Sequence, residues 1–364
     1  MKNLTRLLDL AIQIQQVPAP TFHEGKRAEF VRDLFVREEL QEVSIDPVSN
    51  VYARLPGKKK RGPLIVSAHM DTVFPEMTSL HVTREEERIY GPGIGDNSLG
   101  IAAMFGLLWN LRERRAELPF DIWFVANVGE EGLGDLQGMK AVVDRFGAEV
   151  KAYLVVEGMA FGHIYHHAIG VRRYRVTVRT AGGHSWSDYG QPSAVHEAAH
   201  LVTQITALAL PVDPRTTLNI GLINGGTGVN VLAADATFDL DMRSESMEEL
   251  NMLIERVDEI IRLANKQDVK IGMEVIGSRP AGEIPTDHPL VHLAQQCLNE
   301  QGLTAKLTSG STDANIPLSR GYPSLVLGVT TGGSAHTVHE YIDIKPVRSG
   351  MESLTEFVVK LGKR

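Results

Sequence analysis

Short β-rich apolar runs alternate with helical segments along the chain, and four of these runs each stop at a residue type that metal ions accept as a ligand. Run 64–67 leads to His69 and Asp71, and run 122–128 leads to Glu130 and Glu131. Run 153–156 leads to Glu157, and run 324–329 leads through a glycine-rich turn to His336. Continuous apolar runs of this length between helices predict buried parallel strands. In open α/β sheets, ligands collect beyond the carboxyl ends of the strands. Four strand ends converging on His, Asp and Glu therefore predict a metal centre, and with it a hydrolase.

The pattern changes at 167–170. Tyr174, Val176 and Val178 alternate with Arg173, Arg175, Thr177 and Arg179, the signature of a half-exposed strand. A helix at 193–208 and strands at 216–223 and 234–243 follow. Ser246 and Glu249 form a capping box that opens a helix with Leu250, Leu253, Ile254, Val257, Ile260 and Ile261 on one face, and a strand at 269–276 alternates again. The order β-α-β-β-α-β predicts a ferredoxin-like α+β domain with one open sheet face at 169–281. It is inserted into an α/β domain made of 1–168 and 282–364, a mostly parallel sheet flanked by helices. From Ile284 the parallel pattern resumes, with helices at 289–300 and 347–361 around the strand before His336. All the metal-type strand ends fall in the outer domain.

At 364 residues, with 43% hydrophobic and 23% charged residues, the composition is that of a two-domain globular protein. A net charge of −8 argues against nucleic acid or an anionic membrane as partner. The one basic run, 58–61, lies between Pro-Gly and Gly-Pro pairs and reads as a solvated turn. The single cysteine, Cys297, excludes an intramolecular disulfide framework and a thiolate metal cluster, and fits a reducing cytosol. Leu4, Leu7, Leu8, Ala11 and Ile14 lie at helical spacing, but Asp9, Gln13 and Gln15 interrupt the segment too early for a signal peptide. No run approaches the ~20 apolar residues that span a bilayer, so a cytoplasmic location is expected.

The candidate ligands are imidazoles and carboxylates, which suit zinc, cobalt or manganese and disfavour copper(I) or iron–sulfur centres. Three carboxylates, Asp96, Glu131 and Glu157, together with a bridging hydroxide would neutralise two divalent ions. Asp71, two residues after His69 on an extended segment, projects to the same side and can accept the imidazole's other N–H. Spacing alone leaves open which of Glu130 and Glu131 is base and which is ligand.

Competing patterns are weaker. His196, Glu197 and His200 match H-E-x-x-H, the helical signature of single-zinc proteases, but no His or Glu follows from 201 to 244 to complete such a site. His163, His166 and His167 read as the hinge into the insert, Gly225–Gly226 and Gly332–Gly333 as turns, and Arg243 alone as a strand surface charge. A non-catalytic binding protein would have lost the base or a ligand, and neither is missing.

In order, the chain carries HMDTV, GPGIGDNSLG, GEEG, VVEG, GGHS, NGGTGVN, DMRS, TDA and AHTVHEYI. Over nearly its whole length this set resembles the dinuclear zinc peptidases that include peptidase T, carboxypeptidase G, succinyl-diaminopimelate desuccinylase and aminoacylase. The resemblance implies two zinc ions bridged by Asp96, one also held by His69 and Glu157, the other by Glu131 and His336. It implies Glu130 as general base, His184 as an oxyanion-stabilising histidine, and Asn230 and Arg243 as substrate-holding groups, Arg243 being suited to a bidentate grip on a carboxylate. Glu at 157 rather than Asp is the variant that carboxypeptidases and acylases of the family tend to carry, which points to an amide beside a free carboxylate. Aminopeptidase- or tripeptidase-type cleavage and decarbamoylation on the same site are the alternatives. Trp186 stands where a small residue is common. Resemblance to the dimeric members implies a homodimer formed through the insert, with His184 reaching the partner's site.

Overall fold

The computed structural model describes residues 2–58 and 61–363; Lys59 and Lys60, within the basic run read as a turn, lie outside them. The chain divides into two compact units, 1–168 with 283–364, and 169–282.

The central sheet of the first unit runs in the order Gln41–Ile45, Val51–Leu55, Ile122–Asn127, Leu64–His69, Ala152–Glu157, Ser324–Gly328, His163–Ala168. The four strands from Ile122–Asn127 to Ser324–Gly328 are mutually parallel. Their antiparallel neighbours are Val51–Leu55 on one side and His163–Ala168 on the other. Both faces of Leu64–His69 and Ile122–Asn127 are buried, which is why these strands read as unbroken apolar runs instead of alternating ones. Helix Leu99–Glu113 is apolar almost all round and buried, as a helix enclosed by the core must be. Each fully buried Leu, Ile or Val here contributes roughly 1.5–3 kcal/mol. The closing helix, Ile344–Lys363, begins three residues earlier than the apolar pattern predicts.

A second sheet in this unit, Gly332–Gly333, Tyr341–Asp343, Arg88–Tyr90 and Thr83–Arg84, has strands too short to leave a periodic signal. Its pairing of Gly332 with Ile342 and Gly333 with Tyr341 closes the hairpin that carries His336.

The other unit has the antiparallel strand order Thr216–Gly225, Asp235–Ser244, Gly170–Arg179, Lys270–Arg279. Helices Ala194–Thr206 and Met247–Ala264 pack on one face against Tyr174, Val176 and Val178. Ser246 Oγ accepts the Glu249 N–H at 3.4 Å, so the capping box closes from its N-cap side. The opposite face is a ladder of ion pairs, Arg173–Asp241 and Arg175–Asp239, both at 2.8 Å, and Arg179–Asp235 at 3.4 Å. Arginines and aspartates opposite each other across antiparallel strands keep this face polar. Among the described residues, no helix is long and apolar enough to cross a membrane.

Candidate metal centre

Parallel pairing sets the strand ends level. His69 pairs with Asn127 and Gly328 with Glu157, so the segments that leave these strands emerge at one edge of the sheet. There, His69 Nε2 lies 3.1 Å from Asp96 Oδ1 and 3.7 Å from Glu157 Oε2. His336 Nε2 lies 3.2 Å from the other Asp96 oxygen and 3.1 Å from Glu131 Oε1. Asp96 thus stands between two imidazoles, one oxygen toward each. His69, Asp96 and Glu131 offer ligand atoms all within 4.8 Å of one another, a group that could hold a metal ion. The His69 ring is oriented by its other nitrogen, which donates to the Asp71 carbonyl at 3.0 Å and lies 3.5 Å from the Asp71 carboxylate. A carbonyl can only accept, so Nδ1 carries the proton and Nε2 is left to face the carboxylates.

The Asp71 carboxylate does something that spacing did not suggest. It accepts the backbone N–H groups of Glu130 at 3.0 Å and Glu131 at 2.8 Å, and the Thr21 hydroxyl at 3.0 Å. Glu24 accepts the N–H of Gly129 at 3.1 Å, so two carboxylates hold three successive amides of the GEEG turn. Arg27 is fully buried and donates to the carbonyls of Met70 at 2.7 Å and Val17 at 2.8 Å. Burial lowers the Arg27 guanidinium to about 10, partly offset by the Asp71 and Glu24 charges. Burial also raises Glu24, with Asp71 adding to the effect. The Asp71 carboxyl is lowered: burial opposes ionisation, but His69 and the two backbone amides outweigh it.

The loop bearing Asp96 is held from both sides. Glu340, with no exposed surface, accepts the N–H groups of Gly93, Gly95 and Asp96 at 3.0, 2.7 and 2.9 Å. Asn97 donates to the Val156 carbonyl at 2.9 Å and accepts the Gly158 N–H at 3.0 Å, fastening the loop to the strand that ends in Glu157. Gly100 permits this approach, because a Cβ there would sit 2.0 Å from Asn97 Oδ1. Beneath the site Asn127 donates to Asp313 at 2.7 Å, and burial pushes the Asp313 carboxyl up to about 7. Glu24, Arg27, Asn97, Asp313 and Glu340 were not singled out from sequence. The only local signals were the motifs around Asn97, Asp313 and Glu340.

The carboxylates of this cluster crowd negative charge together and call for a positive counter-charge. Burial raises the Glu157 carboxyl, and Asp96 and Glu131 raise it further against the pull of His69. Burial would also raise Asp96, but hydrogen bonds to His336 and His69 reverse this and hold it far below the usual carboxylate range. Carboxylates hold His336 up at about 10, and the same hydrogen bonding overcomes burial to raise His69. Without a metal, the imidazolium protons supply the positive charge. A divalent cation would supply it instead and displace those protons, so the donor set fits such an ion.

In the inserted unit, His184 and Asn230 are neighbours. His184 pairs with Val231, and the Ser185 N–H donates to the Asn230 carbonyl at 3.0 Å. His184 Nδ1 accepts the Trp186 N–H at 3.2 Å, which leaves the ring proton on Nε2, available for donation. Arg243 lies at the far end of strand Asp235–Ser244, roughly 26 Å from its start at ~3.3 Å per residue. Its guanidinium is held by Asp241, with Nε at 2.6 Å. Across strand Gly170–Arg179, Val171 pairs with both Arg243 and Arg279, and Arg279 is the buried one of these two arginines. His196 and His200 are exposed on helix Ala194–Thr206, and no third ligand gathers with them among the described residues. His163 and His166 are engaged by Thr308 and the Ile284 carbonyl, each at 2.9 Å.

With this geometry in hand, comparison identifies the class. The model for Peptidase family M20/M25/M40 matches residues 65–360, and the chain belongs to that family; it is a metallohydrolase. It is 23% identical to the uncharacterized protein YqjE of Bacillus subtilis (strain 168) over 380 aligned residues, covering 100% of both chains. A tripeptidase from Staphylococcus aureus subsp. aureus Mu50 superposes with a TM-score of 0.84 at 23% identity, covering 99% of each chain. YxeP of Bacillus subtilis, a dinuclear metal-binding peptidase of the M20 family, superposes with a TM-score of 0.71 at 16% identity, covering 100% of this chain and 99% of that one. At these identities the structural likenesses show a shared fold.

Proposed function

We propose that the protein hydrolyses a peptide or N-acyl amide bond near a free carboxylate, with two zinc ions per chain and Glu130 as general base. The observation that carries this reading is Asp96, with one carboxylate oxygen toward His69 and the other toward His336. His69, Asp96 and Glu157 would hold one ion, and Asp96, Glu131 and His336 the other; cobalt or manganese would suit the same donors. When bound, the metal supplies Lewis acidity to the scissile carbonyl and lowers the pKa of water. Glu130, buried beside Glu131 on the turn held by Asp71, takes the proton of the attacking water and delivers it to the leaving amine. His184, protonated on Nε2, donates to the developing oxyanion. Asn230 beside it, and Arg243, hold the substrate.

His184 and Arg243 stand at opposite ends of one unit, too far apart to grip one small substrate together. This separation favours a homodimer in which His184 serves the partner's site. Strand Thr216–Gly225 is at a sheet edge, with Leu222 59% and Ile223 55% exposed, a surface suited to pairing. The single buried Cys297 suits a cytoplasmic setting. Tripeptide cleavage, the activity named for the S. aureus structure, is the second reading. The test is Glu130→Gln: bound zinc should stay near two per chain while turnover falls by several powers of ten. Glu131→Gln should instead lose metal. Wild-type turnover in Glu130→Gln would remove Glu130 as the base.

A further inference from the structure

Three of the segments that carry candidate ligands meet on one thioether. Met159 lies two residues beyond Glu157, in the turn that follows strand Ala152–Glu157. A Cβ built on Gly95, the residue before Asp96, would fall 2.6 Å from both the Cγ and the Sδ of Met159. One built on Gly332, in the hairpin that carries His336, would fall 2.6 Å from the same sulfur. Spaces too small for a methyl group place the sulfur in direct contact with both glycines.

The backbone around this contact has no slack. The Gly95 N–H donates to Glu340 at 2.7 Å, and a Cβ on Gly158 would fall 2.2 Å from the Gly95 carbonyl oxygen. The Gly158 N–H donates to Asn97 at 3.0 Å, and the Gly158 carbonyl accepts the Thr330 N–H at 2.9 Å. Gly332 pairs with Ile342, and a Cβ on it would fall 2.3 Å from the Tyr341 carbonyl oxygen. Both glycines that press on the sulfur are therefore held by other partners as well. Met159 is nonetheless partly exposed, whereas Met70, Met104, Met139 and Met242 are fully buried. Met77, 94% exposed, has little packing to disturb, and the exposed Met252 and Met273 belong to the inserted unit.

Building on the metal-centre reading, we infer that Met159 is an oxidation-sensitive positioning residue: conversion of its thioether to the sulfoxide by a hydroperoxide spreads the segments that carry Asp96, Glu157 and His336, and releases metal. The sulfur lone pair attacks one oxygen of hydrogen peroxide, the O–O bond breaks, an S–O bond forms, and the other oxygen leaves with both protons as water. Sulfur is oxidised and the peroxide reduced by one electron pair. The product turns a pliable apolar side chain into a bulkier polar one where the two glycines leave no room. An oxygen buried there without a donor is unfavourable, so the contact opens and the ligands lose their spacing.

The experiment treats zinc-loaded full-length protein with hydrogen peroxide, while peptide mapping by mass spectrometry follows oxygen gained at each methionine and at Cys297. Zinc release, read with a chromogenic chelator, and loss of turnover should track oxygen at Met159 and not at Met77, with zinc affinity falling about ten- to a hundredfold. The visible spectrum of the cobalt-loaded protein should change with them. Each compared with its own untreated sample, Met159→Leu should keep its zinc at doses that empty the wild type, and Met77→Leu should lose it as the wild type does. Methionine sulfoxide reductase with a thiol should restore zinc binding to the oxidised wild type. Zinc retained with Met159 fully oxidised overturns the inference. So does a Met159 that stays reduced after Met77, Met252 and Met273 are consumed, or equal zinc loss in Met159→Leu. If Met159→Leu does not fold, the wild-type time course decides alone. Hydrogen exchange over 93–98 and 332–341 needs no metal and should quicken by about tenfold or more in the sulfoxide form. Unchanged exchange overturns the inference, whereas protein that binds no zinc before treatment yet shows quickened exchange sinks the metal reading and leaves the role of Met159 standing.

Discussion

The substitution Asp71→Asn keeps the size of the side chain but changes what it can accept. The two carboxylate oxygens of Asp71 take the Glu130 N–H at 3.0 Å and the Glu131 N–H at 2.8 Å, in a position with no solvent exposure. In the variant one oxygen becomes an NH2 donor, so one of these buried amides loses its acceptor and meets another donor. Hydrogen bonds to a charged group contribute about 1.5–3 kcal/mol, and a stranded buried donor costs about 1–3 kcal/mol. We expect about 3–5 kcal/mol in all, drawn from the turn that carries Glu130 and Glu131. If the misplacement is felt mainly in the transition state, at 1.36 kcal/mol per tenfold, kcat/KM falls by about two to four powers of ten. Steady-state kinetics on the best amide substrate, with zinc content and thermal unfolding measured alongside, separates loss of alignment from loss of fold. Activity within about threefold of wild type, with full zinc, would refute the assignment of Asp71 as the frame of this turn.

The same geometry sets three further expectations. Arg243→Ala should weaken substrates with a free carboxylate by about 2–5 kcal/mol and amidated analogues much less; if Arg279→Ala shows this pattern and Arg243→Ala does not, the clamp is the buried arginine. Glu130→Ala and His184→Ala homodimers should each be nearly inactive, yet regain roughly a quarter of wild-type activity after subunit exchange, since random mixing makes about half the dimers hybrids with one working site each. No recovery in hybrids verified by mass spectrometry would keep His184 out of the partner's site. Arg243 and Arg173 overcome burial to lower the Asp241 carboxyl below its ordinary 3.8. Its contribution to stability is therefore present above 3.8 and lost as pH falls through the lower folded-state value. The unfolding temperature of Asp241→Asn should thus converge on that of wild type in acid, and a constant gap down to about pH 2 would contradict the pairing.

The sequence by itself determined which four segments are the buried parallel strands, where they end, and which ligand-type side chains stand at those ends, while Val51–Leu55 and His163–Ala168 joined the sheet without being read as strands. These are local properties: an apolar run, a turn, a residue two places on. Period-two alternation and the Ser246–Glu249 box likewise announced the inserted unit. Tertiary structure alone decided how the site is held. Glu24 reaches Gly129 across 105 residues, and Glu340 reaches Gly93 across 247. Such hydrogen bonds leave no periodic trace, because a buried carboxylate accepting distant backbone amides looks in sequence like any surface acid. Arg27 shows the same thing on helix Gly25–Arg37, where an arginine reads as solvated and proves fully buried among carbonyls. Register also decided that Asn230 stands beside His184 while Arg243 does not. The distance between residues on a folded strand follows from pairing and length, and their order in the chain carries neither.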